Sequence, residues 1–181
     1  GWSSGRLLVI DIGGGSLEMA VGVDESPEVA ISLPLGAARL TNKFLKGDPY
    51  TDKSIRSLRD HVEEKLEQIL PNLVKHQDSD RAIATSKTLR TLARLTGDWF
   101  DGNGKNITAD AIRKLSAKLS EMDNAERAKL PGVSENRASQ IVAGAFVAES
   151  VMRNLDIAEL EVCPWALREG VVLKWLDWME A

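Results

Sequence analysis

The chain has 181 residues, 43% hydrophobic and 28% charged, with 27 acidic against 23 basic side chains for a net charge of -4. This composition fits one domain or one lobe with a real core and excludes disorder, and the acidic balance removes any general case for nucleic-acid binding while leaving room for a local basic pocket and an anionic substrate. The single cysteine, Cys163, cannot form an internal disulfide, two histidines are too few for a structural zinc, and no apolar run reaches the ~20 residues that cross a bilayer.

Residues 6–11 are a continuous apolar run closing on Asp11, the pattern of a central strand. Residues 16–23 alternate, with Leu17, Met19, Val21 and Val23 on one side and Ser16, Glu18 and Ala20 on the other. A third strand is predicted over 28–33, so the first three form an antiparallel meander. Residues 36–45 read as a helix, and Ile55, Leu58, Val62, Leu66, Ile69 and Leu73 recur at helical steps after a cap at Thr51 or Asp52. Residues 81–85 read as a short buried strand, 86–95 as a helix, 98–106 as a polar loop and 109–122 as a helix capped by Thr108.

A short helix is predicted near 125–130 and a long one over 135–155, with small residues in its apolar stripe. A last strand at 160–163 and a helix at 167–179 complete the order βββαβαβα with extra helices. Residues 1–181 thus predict a single α/β lobe with a mixed five-stranded sheet, the ribonuclease H-like arrangement that also builds one lobe of actin-like phosphate-handling proteins. The chain opens on Gly1 and enters a strand within a few residues, so it reads as a piece of a longer protein.

Three places carry chemistry. Asp11 ends a strand, and Gly13, Gly14 and Gly15 turn into the next one. Glycines let backbone amides turn towards a ligand and touch it, and successive inward amides form a nest for phosphate oxygens. Ser16 adds a hydroxyl donor. Asp11 would repel an anion unless a divalent cation, such as magnesium, lies between them. Glu18 falls on the same face as Ser16, where a second carboxylate could bind that cation or orient water. A structural hairpin is the alternative. The loop is neither a dinucleotide fingerprint, because a strand follows it, nor a Walker loop, because no Gly-Lys-Ser/Thr closes it.

The second place is Ala84-Thr85-Ser86-Lys87-Thr88, where a strand hands over to a helix whose first amides favour an anion. Lys87 adds charge, with Arg90 and Arg94 following at helical spacing. Ordinary capping by Ser86 with solvated basic residues beyond explains the same pattern. The third is CPWALREGVVL at 163–173, with Arg168 and Glu169 opening a helix, which a salt-bridged surface turn also explains.

Together, VIDIGGGSLE, SLPLGAARLT, ATSKTLRTLARL, LPGVSENRASQIVAGAFVAESVM and ALREGVVL resemble the exopolyphosphatase/guanosine pentaphosphate phosphohydrolase (Ppx/GppA) phosphatases, in family order and over nearly the whole chain. The likeness is greatest to the short actinobacterial type.

The single Cys163 suits a reducing cytoplasm, and the resemblance implies a two-lobed, magnesium-dependent phosphatase. It would remove terminal phosphate from polyphosphate or the 5′-phosphate of guanosine pentaphosphate. It assigns metal and water handling to Asp11 and Glu18, the phosphate loop to Gly13, Gly14, Gly15 and Ser16, and the loop facing the cleft to Thr85, Ser86 and Thr88. Lys87 departs from the glycine many members carry there and suits a polyanion; Arg137 fits a position that helps hold the phosphate chain. A homodimer is a family-level expectation. The family's first lobe, with its own phosphate loop and the glutamate thought to be the general base, is not in this sequence, so these residues alone are expected to turn over little or nothing. An actin-like kinase or ATPase lobe is a second reading, opposed by Glu18, and a non-catalytic polyphosphate- or alarmone-binding module is a third.

Overall fold

The computed structural model describes residues 5–23, 26–74, 79–100 and 102–163. The predicted helix at 167–179, the Arg168–Glu169 turn, and Trp165, Trp175 and Trp178 lie outside the described residues. Among the described residues no helix is long and apolar enough to cross a membrane.

Three antiparallel strands begin the chain, β1 (Arg6–Ile12), β2 (Leu17–Val23) and β3 (Ser26–Leu33). Two helices, α1 (Ala37–Phe44) and α2 (Asp52–Glu67), and a short α3 (Leu70–Val74) lead to β4 (Arg81–Ala84), which pairs parallel to β1. After α4 (Lys87–Trp99) come β5 (Asn106–Thr108), α5 (Ala109–Glu121), α6 (Asn124–Arg127), α7 (Glu135–Ala138), α8 (Ile141–Asn154) and β6 (Glu159–Val162). The sheet order is β3-β2-β1-β4-β6-β5, with β6 parallel to β4 and β5 antiparallel at the edge. This is the mixed ribonuclease H-like sheet predicted, with six strands in place of five. The extra strand has three residues, and its last, Thr108, is also the N-cap of α5.

Alternation gives the sheet two unlike faces. Leu8, Ile10 and Ile12 of β1 and Leu17, Met19 and Val21 of β2 enter the main core with α1, α2, α5 and α8. Val9 and Ala20 form a small separate cluster with Leu7 and Ala30 on the other side. Asp11 and Glu18, opposite one another in the β1–β2 register, continue this second face. Every residue of α8 from Ile141 to Met152 is buried, so this helix is the spine of the core.

Two predicted helices are each divided. The periodic run 55–73 breaks after Glu67, because Pro71 lacks an amide hydrogen and its ring would clash with the preceding turn. The run 135–155 breaks at Ser139–Gln140. There the Ala138 carbonyl accepts from Arg127 Nε at 2.8 Å, and the Ser139 carbonyl accepts from the Tyr50 hydroxyl at 2.7 Å. Side chains from elsewhere take over carbonyls that would otherwise sit in a continuous helical ladder. The predicted end of α4 near 95 is also early: the helix runs on to Trp99, and Gly97 lets it pass the 102–104 backbone, since a Cβ there would lie 2.7 Å from the Gly104 nitrogen.

Candidate active site

Asp11 lies near the carboxyl end of β1, beside the carboxyl end of its parallel neighbour β4. The Thr85 amide donates to the Ile10 carbonyl at 3.2 Å, and its hydroxyl donates to Asp11 Oδ2 at 2.7 Å. The carboxyl ends of parallel strands are where α/β sheets bind ligands. Burial pushes the Asp11 carboxyl above its ordinary pKa, while the Thr85 hydrogen bond and the charge of Arg90 pull against that shift. Across the hairpin, Glu18 Oε1 accepts from Ser16 Oγ at 2.9 Å, in keeping with the predicted facing of the two side chains.

The glycine turn is held from outside. The Ala37 and Arg39 amides at the start of α1 donate to the Gly13 and Gly14 carbonyls at 2.9 and 3.0 Å, and Arg39 Nε donates to the Gly15 carbonyl at 2.8 Å. The Gly13 amide closes the hairpin on the Ser16 carbonyl. With the carbonyls committed to α1, the amides of Gly14, Gly15 and Ser16 have no acceptor among the described residues.

The reason for glycine differs from the left-handed backbone that three glycines suggest. None of Gly13, Gly14 and Gly15 is among the positive-φ glycines. The lobe's own packing does not demand them either. A Cβ on Gly13 or Gly14 would meet atoms only at 3.6 and 3.7 Å, and one on Gly15 would meet nothing within 4 Å. Gly36 contrasts sharply, because a Cβ there would lie 2.3–2.4 Å from the backbone of Gly14 and Gly15. Gly36 is required so that α1 can dock on the loop. The three loop glycines leave backbone bare towards open space.

Gly13 and Gly14 border a cavity of about 550 Å³. It brings together Asp11, Gly13, Gly14, Thr85, Ser86, Lys87, Thr88 and Arg137 from the sequence-derived set. Gly15, Ser16 and Glu18 are not among its lining residues, although the hairpin register sets Glu18 opposite Asp11, about 5 Å away between α-carbons. Two helix starts meet at the cavity. At α4, Ser86 caps the helix by accepting from the Leu89 amide at 3.1 Å, as ordinary capping predicts. At α8, no side chain caps the first turn, and Ile141 lines the cavity. The two helices approach closely because position 144 is glycine: a Cβ there would lie 2.6 Å from Thr88 Cγ2.

Sequence reasoning passed over Ile12, Ala37, Gln140 and Ile141 as lining residues. Arg90, noted in the sequence for its helical spacing from Lys87, also lines the cavity. Gln140 sits at the helix break, which no local pattern marks.

A divalent cation suits this donor set in one form only. Asp11 has Oδ1 free of the Thr85 bond and Glu18 has Oε2 free of the Ser16 bond. Among the described residues no group of three or more His, Cys, Asp or Glu side chains could cage an ion. Two carboxylates fit magnesium, which fills its remaining positions with phosphate oxygens and water.

The sequence profile of the Ppx/GppA phosphatase family matches residues 2–179. The chain is 51% identical over 181 residues to Exopolyphosphatase 1 of Mycobacterium tuberculosis, covering 98% of this chain and 53% of that protein. It is 49% identical to Exopolyphosphatase 1 of Mycobacterium leprae with the same coverage. Among solved structures, an Aquifex aeolicus Ppx/GppA phosphatase superposes with a TM-score of 0.78 at 29% identity, covering 93% of this chain and 56% of that one. The chain therefore spans about half the length of the relatives it matches.

Proposed function

The chain belongs to the Ppx/GppA phosphatase family, and on that premise we propose that it is the second lobe of a two-lobed phosphohydrolase. Its substrate would be the terminal phosphoanhydride of inorganic polyphosphate, with the 5′-phosphate of guanosine pentaphosphate as the related alternative. The observation that carries this reading is the glycine loop. The amides of Gly14, Gly15 and Ser16 lack acceptors among the described residues, and the loop's missing side chains answer no need of the lobe's own packing. The names of the relatives support polyphosphate as the substrate, and coverage of only 53% of the mycobacterial proteins supports a second lobe elsewhere in the whole protein.

In the proposed mechanism the amides of Gly14, Gly15 and Ser16 bind oxygens of the terminal phosphoryl group. Charge developing on those oxygens is met by donors already fixed in place, which lowers the barrier without reorganisation. Lys87, Arg90 and Arg137 offset the charge of the remaining phosphates. The Thr85 hydroxyl fixes the Asp11 carboxylate, and the Ser16 hydroxyl fixes that of Glu18. Asp11 and Glu18 would hold magnesium, which supplies charge neutralisation and a source of activated water. Glu18 then orients the attacking water. The water oxygen bonds to the terminal phosphorus as the bridging P–O bond breaks, and the shortened polyphosphate leaves as an anion. The proton of the water goes to a general base assigned to the other lobe, so residues 1–181 alone should bind phosphate weakly and release none.

The full-length protein with magnesium should release orthophosphate from polyphosphate, and a chelator should stop it. Nucleotide-dependent phosphorylation of a small alcohol or carboxylate would overturn this reading in favour of a kinase lobe. Tight binding without turnover would favour a non-catalytic module.

A further inference from the structure

The exposed side of α4 is electrostatically odd. Lys87, Arg90 and Arg94 follow one another at successive turns, so one side of the helix carries a basic stripe about 10 Å long. No acidic residue stands in the first turn of this helix. Cations at a helix start oppose the macrodipole, and like charges one turn apart repel, so both local effects disfavour the arrangement.

Five arginines elsewhere pair with carboxylates: Arg6 with Glu28, Arg59 with Glu149, Arg81 with Glu161, Arg113 with Asp110 and Arg153 with Glu63. Among the described residues, Lys87, Arg94 and Arg137 have no hydrogen-bond or ion-pair partner for their side chains. In a chain of net charge -4, three such cations lie close together here.

They also share a hollow. A depression of about 250 Å³ is lined by Lys87, Arg90, Thr91, Arg94, Gly132 and Arg137, with no acidic side chain. Lys87, Arg90 and Arg137 line the 550 Å³ cavity as well, so the hollow adjoins the cavity. The stem of Arg94 lies along Gly132, where a Cβ would be 3.5 Å from Arg94 Cδ. Arg90 is anchored differently, donating from Nη1 to the Thr85 carbonyl at 3.1 Å, which ties the stripe to the strand end that holds Asp11.

Resting on the phosphohydrolase reading above, we propose that this hollow is an outer subsite for an internal phosphate of a linear polyphosphate chain, with Arg94 as the residue that only longer chains reach. The terminal phosphate sits at the glycine loop. The chain then leaves along α4 past Lys87, Arg90 and Arg137 to Arg94. Affinity therefore rises with chain length until Arg94 is reached, and a substrate with few phosphates gains nothing from it.

Arg94→Ala in the full-length protein tests this, with long-chain polyphosphate and pyrophosphate as probes in both equilibrium binding and phosphate release. The variant should bind long chains about tenfold more weakly and reduce the slope of log affinity against log salt by about one. Its affinity for pyrophosphate should match wild type, and Arg94→Lys should recover much of the loss. Arg94 is exposed, so thermal unfolding should not move. Equal weakening of both probes, or of neither, overturns the subsite. If the wild type releases no phosphate yet Arg94→Ala abolishes the length dependence of binding, the subsite stands and the hydrolase reading falls. If release is normal and length dependence survives in Arg94→Ala, the reverse holds. If neither probe binds to the wild type, both fall.

Discussion

Glu18→Gln and Asp11→Asn in the full-length protein should each lower kcat for phosphate release by about a hundred- to a thousandfold, the scale on which a preorganised charge-handling group acts. Both replacements keep the shape of the side chain, remove its charge and leave one oxygen to accept from Thr85 or Ser16. Their effects on stability should differ from their effects on rate. The folded-state pKa of Asp11 is raised, first by burial, so its ionised form costs the fold stability at neutral pH. The sign follows directly: that cost is present above the folded pKa and disappears as the carboxyl takes up a proton below it. Asp11→Asn should therefore unfold at the same temperature as wild type or higher, while losing activity. Phosphate release measured beside thermal unfolding checks this. A variant that stays active, or that loses activity only because it unfolds, contradicts the role given to these carboxylates.

Arg127→Ala should produce the largest loss of stability, about 3–5 kcal/mol from several charge-assisted hydrogen bonds and the acceptors left behind. In a domain of this size that lowers Tm by about 10 °C. Arg127 is fully buried. Its guanidinium donates to the carbonyls of Leu119, Met122 and Ala138, and it lies over the Tyr50 ring at 4.6 Å. Nη2 is 3.7 Å from Asp48, within reach of its charge but too far for a hydrogen bond. One side chain thus ties the end of α5, the end of α7 and the loop before α2. Lysine keeps the charge without the planar fork, so Arg127→Lys should fall between alanine and wild type. Because Ala138 follows Arg137, the alanine variant should also weaken phosphate binding. Denaturation of the two variants alongside wild type decides it, and a loss confined to a few tenths of a kcal/mol would contradict this role.

Much of the site could be read from the sequence because its chemistry is local. An apolar run into Asp11, three glycines and a serine, and a strand handing over to Ser86 are each contiguous. Their meeting follows from strand order, since β4 lies beside β1. What escaped reading depends on partners far away in the chain. The break between α7 and α8 requires the Tyr50 hydroxyl, 89 residues distant, and Arg127. Without that break, the place of Gln140 and Ile141 on the cavity wall had no signal. Strand β5 escaped because three residues carry no period, and its Thr108 doubles as a helix cap. The motive for the glycines was also half hidden. Sequence suggests conformational freedom, whereas the structure shows ordinary backbone that has been left uncovered.

Gly15→Ala, with Gly14→Ala beside it, is the most direct test of that uncovered backbone, read as polyphosphate affinity and Tm in the full-length protein. A methyl at either position meets no atom of this lobe closer than 3.7 Å, and alanine restricts the unfolded chain, so Tm should hold or rise slightly. Affinity and phosphate release should nevertheless fall at least tenfold, because the added methyl keeps phosphate oxygens from closing on the amides. Full affinity at an unchanged Tm would mean that no phosphate approaches these amides.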